Sequence, residues 1–165
     1  RYAVTGFAAF AYVLYLRMGE EVDADIRHRI EFDNNKNGVE WDIISSHSLS
    51  PADEAKDHKF VIFDSVSSYV RMIMKETLPD KKAPDDTEKK AIEKRIIDDI
   101  LAVRSKVAEN RGNVMVITLE TGFSVVPEDG YLAAYREIMG RVNQRIANSS
   151  DEVFFSASGI QFKIK

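Results

Sequence analysis

The chain of 165 residues contains no cysteine. That excludes disulfides, thiol nucleophiles and thiolate metal sites, and it fits a reducing compartment. Histidine is scarce at three residues. His47 and His58 lack metal-ligand spacing and read as surface residues. Positive charge is not in excess, because the net charge is -4. The chain therefore has no basic footprint for nucleic acid. A membrane span is lacking too. The apolar run at residues 7–16 is too short to cross a bilayer and has no small-residue cleavage pattern after it. It merges into the strand-like Tyr12-Val13-Leu14-Tyr15-Leu16. The expectation is a soluble cytoplasmic protein, with residues 1–165 forming one domain.

What is present is an alternation of short apolar runs and longer amphipathic ones. Arg1-Tyr2-Ala3-Val4-Thr5-Gly6 reads as a strand ending in glycine, the way a first strand enters a phosphate loop. Val13-Leu14-Tyr15-Leu16 is a second strand. Residues 19–32 have a helical pattern, followed by a turn-rich loop at Asp33-Asn34-Asn35-Lys36-Asn37-Gly38. Val39-Glu40-Trp41-Asp42-Ile43-Ile44 is extended, and Ser50-Pro51 opens a helix. Phe60-Val61-Ile62-Phe63-Asp64 is a strand with a carboxylate at its C-terminal end, and residues 66–78 form the helix after it. A solvated linker precedes a long amphipathic helix at residues 87–109, closed by Asn110-Arg111-Gly112-Asn113.

The stretch 114–165 organises the rest. Val114-Met115-Val116-Ile117-Thr118 is a buried-strand run, Pro127-Glu128-Asp129-Gly130 belongs to a loop, and a helix follows, then the apolar Val153-Phe154-Phe155. Strand, loop, helix and strand make one crossover unit, and such units build parallel sheets. From the residues alone, an α/β domain is the expectation.

This stretch resembles the adenosylcobinamide kinase/adenosylcobinamide-phosphate guanylyltransferase family of cobalamin biosynthesis. The matches are Thr118, Glu120 and Gly122, Val126-Pro127, Arg136, Gly140-Arg141, Asn143-Gln144, Asp151-Glu152-Val153, Ser158-Gly159-Ile160 and Lys163-Ile164-Lys165. So many matches in register make a specific signal, unlike a lone short motif. The resemblance implies a three-layer P-loop sandwich with a mainly parallel central sheet and an antiparallel C-terminal edge. It implies a kinase that phosphorylates the aminopropanol hydroxyl of adenosylcobinamide with ATP or GTP and then transfers GMP from GTP. It also implies Mg²⁺ and a homotrimer, which would give the C-terminal apolar strand a partner.

The chain departs from the family at two places. In the family, a phosphate loop of the form G-x-x-x-x-G-K-S and its helix follow the first strand. Here six residues, Phe7 to Tyr12, separate Gly6 from the next strand. A parallel crossover needs about ten to twelve residues or more. Either a loop is missing from this sequence between residues 6 and 7, with residues 7–11 left from its helix, or a deletion has removed the nucleotide site. The second departure is at the histidine that the family guanylylates, where Phe32 and Asp33 stand instead. His28, one helical turn earlier, is the nearby imidazole.

Candidate site residues follow. Asp64 is placed to hold Mg²⁺, against the plainer reading of a carboxylate that caps the next helix. Glu120 orients the substrate hydroxyl or the metal, or else is a surface carboxylate. Thr5 and Gly6 match the entry to the phosphate loop. Arg17, Met18 and Gly19 fall where the family contacts the guanine nucleotide, and Asp33, Asn34, Asn35 and Lys36 fall in a second such segment. Arg136 and Arg141 are read as contacts to triphosphate or a neighbouring subunit, or as a solvated cationic face together with Arg145. A kinase lacking guanylyl transfer and a non-catalytic nucleotide- or corrinoid-binding relic are the rival readings.

Overall fold

A computed structural model describes residues 13–37, 40–80 and 82–165, with the backbone alone at 33–37. The expected first strand and the Thr5 and Gly6 positions lie outside the described residues.

Strands β1 (Val13–Met18), β2 (Trp41–Ser46), β3 (Phe60–Asp64) and β4 (Asn113–Ile117) form one parallel sheet in the order β2-β1-β3-β4. Their alternation decides the layers, because successive side chains point to opposite faces. Leu14, Leu16 and Met18 of β1, with Val61 and Phe63 of β3, enter the larger core. Helices α2 (Pro51–Ala55), α3 (Val66–Thr77), α4 (Asp86–Glu109) and α5 (Gly130–Ser149) cover that face. Val13, Tyr15 and Ile62 face the other way, toward α1 (Ala24–Asn37), which contributes Ile26 and Ile30. The result is a three-layer α/β sandwich. On the α1 side, Val13, Phe60, Ile62, Asn113 and Met115 line a groove across β3 and β4.

Local chemistry explains the boundaries. Asp85 begins α4 with a capping box: its carboxylate accepts from the Thr87 and Glu88 amides, and the Glu88 side chain accepts from the Asp85 amide. Ile92, Ile96, Ile100, Val103 and Val107 then lie on one buried face at helical spacing. After α4, Arg111 takes a positive φ of 55° and Gly112 passes close to β3. A Cβ on Gly112 would lie 2.1 Å from the Lys59 carbonyl oxygen, so only glycine fits there. Across the core, the Tyr69 hydroxyl of α3 donates to Asp99 of α4 at 2.6 Å.

Several expectations need correction. Helix α1 starts at Ala24, where Asp23 accepts from the Ile26 amide, not at residue 19. It runs through Asn37, so Asp33, Asn34, Asn35 and Lys36 are helical and not a loop. No proline or glycine interrupts that run, and the turn preference of Asn and Asp is a weak prior by comparison. The C-terminal strand does not extend the parallel sheet. Strands β5 (Phe154–Ala157) and β6 (Ile160–Lys163) pair antiparallel with each other in a separate hairpin. Ser158 and Gly159, at φ of 51° and 80°, make the two-residue reversal that pairs these strands locally. His58 is buried, with Nε2 3.4 Å from the Asp42 carboxylate, and is no surface residue.

Candidate active site

In a parallel sheet all strands end on one edge. Here the connection from β1 leads to β2 on one side, while that from β3 leads to β4 on the other. The two loops part between β1 and β3, and open α/β sheets bind ligands at such a divergence. The residues at that point are Arg17 and Asp64, direct partners in the β1–β3 register.

Asp64 is 4% exposed, and both of its carboxylate oxygens are engaged. The Tyr15 hydroxyl donates to one, from the diagonal position on the same face of the sheet. Arg17 Nη1 lies 3.0 Å from the other. Arg17 Nη2 donates to Glu20, whose carboxylate also takes Arg71 of α3. Burial opposes the charge on Arg17, but the carboxylates of Asp64 and Glu20 outweigh it and raise the guanidinium pKa above its ordinary value. Among the described residues, Arg17 Nε is a buried donor with no hydrogen-bond partner.

Asp64 does not cap the following helix. Ser65 does, accepting from the Ser68 amide. Nor do the residues present fit Asp64 as a direct ligand of Mg²⁺, because the ion needs an accessible oxygen and this carboxylate is buried between Tyr15 and Arg17. Among the described residues, no group of three carboxylates or histidines is placed to hold a metal.

Glu120 lies beyond β4 on an exposed loop whose shape comes from α5. Its Oε1 accepts from the Gly122 amide. Arg136 Nε donates to the Thr121 carbonyl at 3.2 Å, and its Nη2 donates to Gly122 and Ser124 carbonyls at 2.9 and 3.2 Å. About two turns further along the same helix, Asn143 accepts from Thr118 Oγ1 at 2.6 Å and donates to the Leu119 carbonyl at 2.9 Å. Arg136 is thus committed to its own loop. Arg145 turns instead to Glu93 of α4 at 3.0 Å, while Arg141 donates to Glu137 of its own helix and stands 3.8 Å from Glu93. No pattern of residue spacing announces such carbonyl contacts.

The other expected contacts divide. Met18 is fully buried in the larger core, so its side chain is withdrawn from any nucleotide. Gly19 makes the turn after β1 with φ of 69°, and its amide donates to the Ser46 carbonyl at 2.7 Å. A Cβ there would sit 3.3 Å from the Ser68 carbonyl oxygen. His28 is exposed on α1, one turn from exposed Phe32. Only the backbone of Asp33, Asn34, Asn35 and Lys36 is described.

A four-stranded parallel sheet flanked by helices, with Arg17 and Asp64 at its strand-order reversal, is an α/β protein of the P-loop NTPase-like fold. A sequence model of the cobinamide kinase / cobinamide phosphate guanyltransferase family matches residues 2–164, and the chain belongs to that family. It is 29% identical over 157 residues to the bifunctional adenosylcobalamin biosynthesis protein CobU of Salmonella typhimurium, covering 93% of this chain and 86% of that protein. The same figures hold for the protein of that name from Escherichia coli. No helix among the described residues is long and apolar enough to cross a membrane.

Proposed function

We propose that this chain phosphorylates the aminopropanol hydroxyl of adenosylcobinamide with ATP or GTP, and then transfers GMP from GTP to the product. The observation that carries this reading is the family match across nearly the whole chain. The charged residues at the sheet's reversal point support it. In this reading the triphosphate lies over the carboxyl ends of β1 and β3, and Glu120 orients the substrate hydroxyl from its clamped loop. Phosphoryl transfer then rests mainly on positioning and charge stabilisation. Any Mg²⁺ arrives with the triphosphate. Cobinamide with each nucleotide, followed by separation of the corrinoid products, tests the first reaction. Absence of phosphorylated corrinoid with both nucleotides refutes it and leaves a relic without turnover.

A kinase lacking guanylyl transfer is the second reading, favoured by one observation. By the resemblance, Phe32 and Asp33 fall where the family has its guanylylated histidine. Neither side chain replaces an imidazole as a phosphoramidate-forming nucleophile. The test is GTP labelled on the α-phosphate. An acid-labile protein adduct that disappears in His28→Ala makes His28 the substitute nucleophile, and no adduct leaves the kinase alone.

We further propose a homotrimer in the cytoplasm. Phe154, Ile160, Phe162 and Ile164 of the C-terminal hairpin are exposed, as are Phe123 and Val125 of the Glu120 loop, and the Phe123 and Phe155 rings meet edge to face. Such a contiguous apolar surface suits a subunit contact. Light scattering of the purified protein gives the assembly mass, and a monomer refutes the trimer.

A further inference from the structure

We infer that Arg17 is the phosphate-binding cation of this site, and that Asp64 serves to anchor it and does not ligate a metal. The inference rests on the nucleotide-dependent reading above and deepens it. Three observations carry it. Arg17 and Asp64 face each other across β1 and β3 at the reversal point of the sheet, where an anionic ligand would lie. Asp64 is buried with Tyr15 on one oxygen and Arg17 on the other, which leaves it as a fixed counter-ion. Arg17 Nε keeps a buried N–H without a partner among the described residues, and a buried donor left unmade costs free energy until an acceptor arrives. The Arg17 side chain keeps 19% exposure, and through that opening a phosphate oxygen would reach the guanidinium. The planar guanidinium spends one N–H on Asp64 and one on Glu20 and still has further N–H groups for an anion. The neighbouring Arg71, held on the same Glu20 carboxylate, adds positive charge.

The test uses inorganic tripolyphosphate, titrated calorimetrically into the full chain in EDTA and again in excess Mg²⁺. Wild type is expected to bind in EDTA. Arg17→Met should weaken binding by about 10- to 100-fold, the range for a lost charge-assisted hydrogen bond, and Arg17→Lys should fall between. Because Arg17→Met strands a buried carboxylate, Arg17→Met with Asp64→Asn keeps the comparison fair. That double variant should bind as weakly as the single one, while Asp64→Asn alone, which keeps an amide oxygen for Arg17 but loses the anchoring charge, should weaken binding less than Arg17→Met does. Asp64→Asn should also leave the ratio of the two affinities, with and without Mg²⁺, unchanged. Recovery of wild-type affinity in the double variant would show that Arg17 merely neutralises Asp64 and would overturn the inference. Loss of the Mg²⁺ effect in Asp64→Asn would overturn it too, by making Asp64 a metal ligand. If wild type binds ATP or GTP and Arg17→Met leaves tripolyphosphate affinity intact, the inference fails and the kinase reading stands. If wild type binds neither nucleotide nor tripolyphosphate, both fail.

Discussion

Replacing Arg136 with alanine should loosen the Glu120 loop and leave the fold intact. The side chain makes three hydrogen bonds to loop carbonyls, at 3.2, 2.9 and 3.2 Å. A hydrogen bond from a charged donor contributes about 1.5–3 kcal/mol when desolvated. The two made by Nη2 are exposed to solvent and share one nitrogen, so they count for far less than three independent bonds. The sum comes to about 2 kcal/mol, or roughly a 30-fold shift in the local opening equilibrium. Because β4 is held by its register with β3, the loss should stay within the loop. Amide hydrogen exchange reads this directly. The Gly122 and Ser124 amides should exchange about 30-fold faster, with the β4 amides unchanged. Cobinamide phosphorylation should lose kcat with little change in the KM for nucleotide, since Arg136 touches neither strand end at Arg17 nor Asp64. Equal acceleration across β4 and the loop would mean that Arg136 supports the whole fold, and the clamp argument would be wrong.

Gly112→Ala drives a Cβ to within 2.1 Å of the Lys59 carbonyl oxygen. It should cost about 2–4 kcal/mol in urea unfolding, near the upper end for overpacking. Glu93→Gln leaves Arg141 and Arg145 without their buried carboxylate. Because Arg145 is mostly exposed, the loss should be only about 1 kcal/mol by the same assay. Burial, and then the bond to Asp99, push the Tyr69 pKa up. A raised pKa means stability that is complete below the unfolded tyrosine value of about 10 and is lost as pH climbs beyond it. Absorbance titration should show Tyr69 resisting ionisation beyond the ordinary tyrosine range, and Tyr69→Phe should flatten the alkaline fall in stability.

The sheet was legible because its strands are short runs of branched and aromatic residues bounded by turn signals, as at residues 60–64 and 114–117. The carboxylate at the end of β3 was legible for the same reason. Its partner was not. Arg17 and Asp64 meet through the β1–β3 register, a long-range choice that no local pattern encodes. Arg136 was read as a triphosphate or subunit contact because its charge was visible, while the carbonyls it serves belong to a loop without periodicity. The C-terminal strands were misplaced because the apolar run at Phe154 suits either sheet. Ser158-Gly159 was the available sign of a local hairpin, since both residues adopt positive φ.

Strand parity also governs how this chain can change length. In β1 the odd-numbered residues Val13, Tyr15 and Arg17 share the α1 side, and in β3 the even-numbered Ile62 and Asp64 do. Deleting a single residue inside either strand would carry Arg17 or Asp64 through to the opposite face and turn an apolar neighbour outward. A two-residue change would keep the face but shift the ladder, separating the pair along the strand. Insertions and deletions are therefore tolerable only where neither alternation nor a clamp has to be kept, as in the stretches at residues 78–85 and 125–128. A lineage of such chains should vary in length there while holding the spacing of both strands fixed.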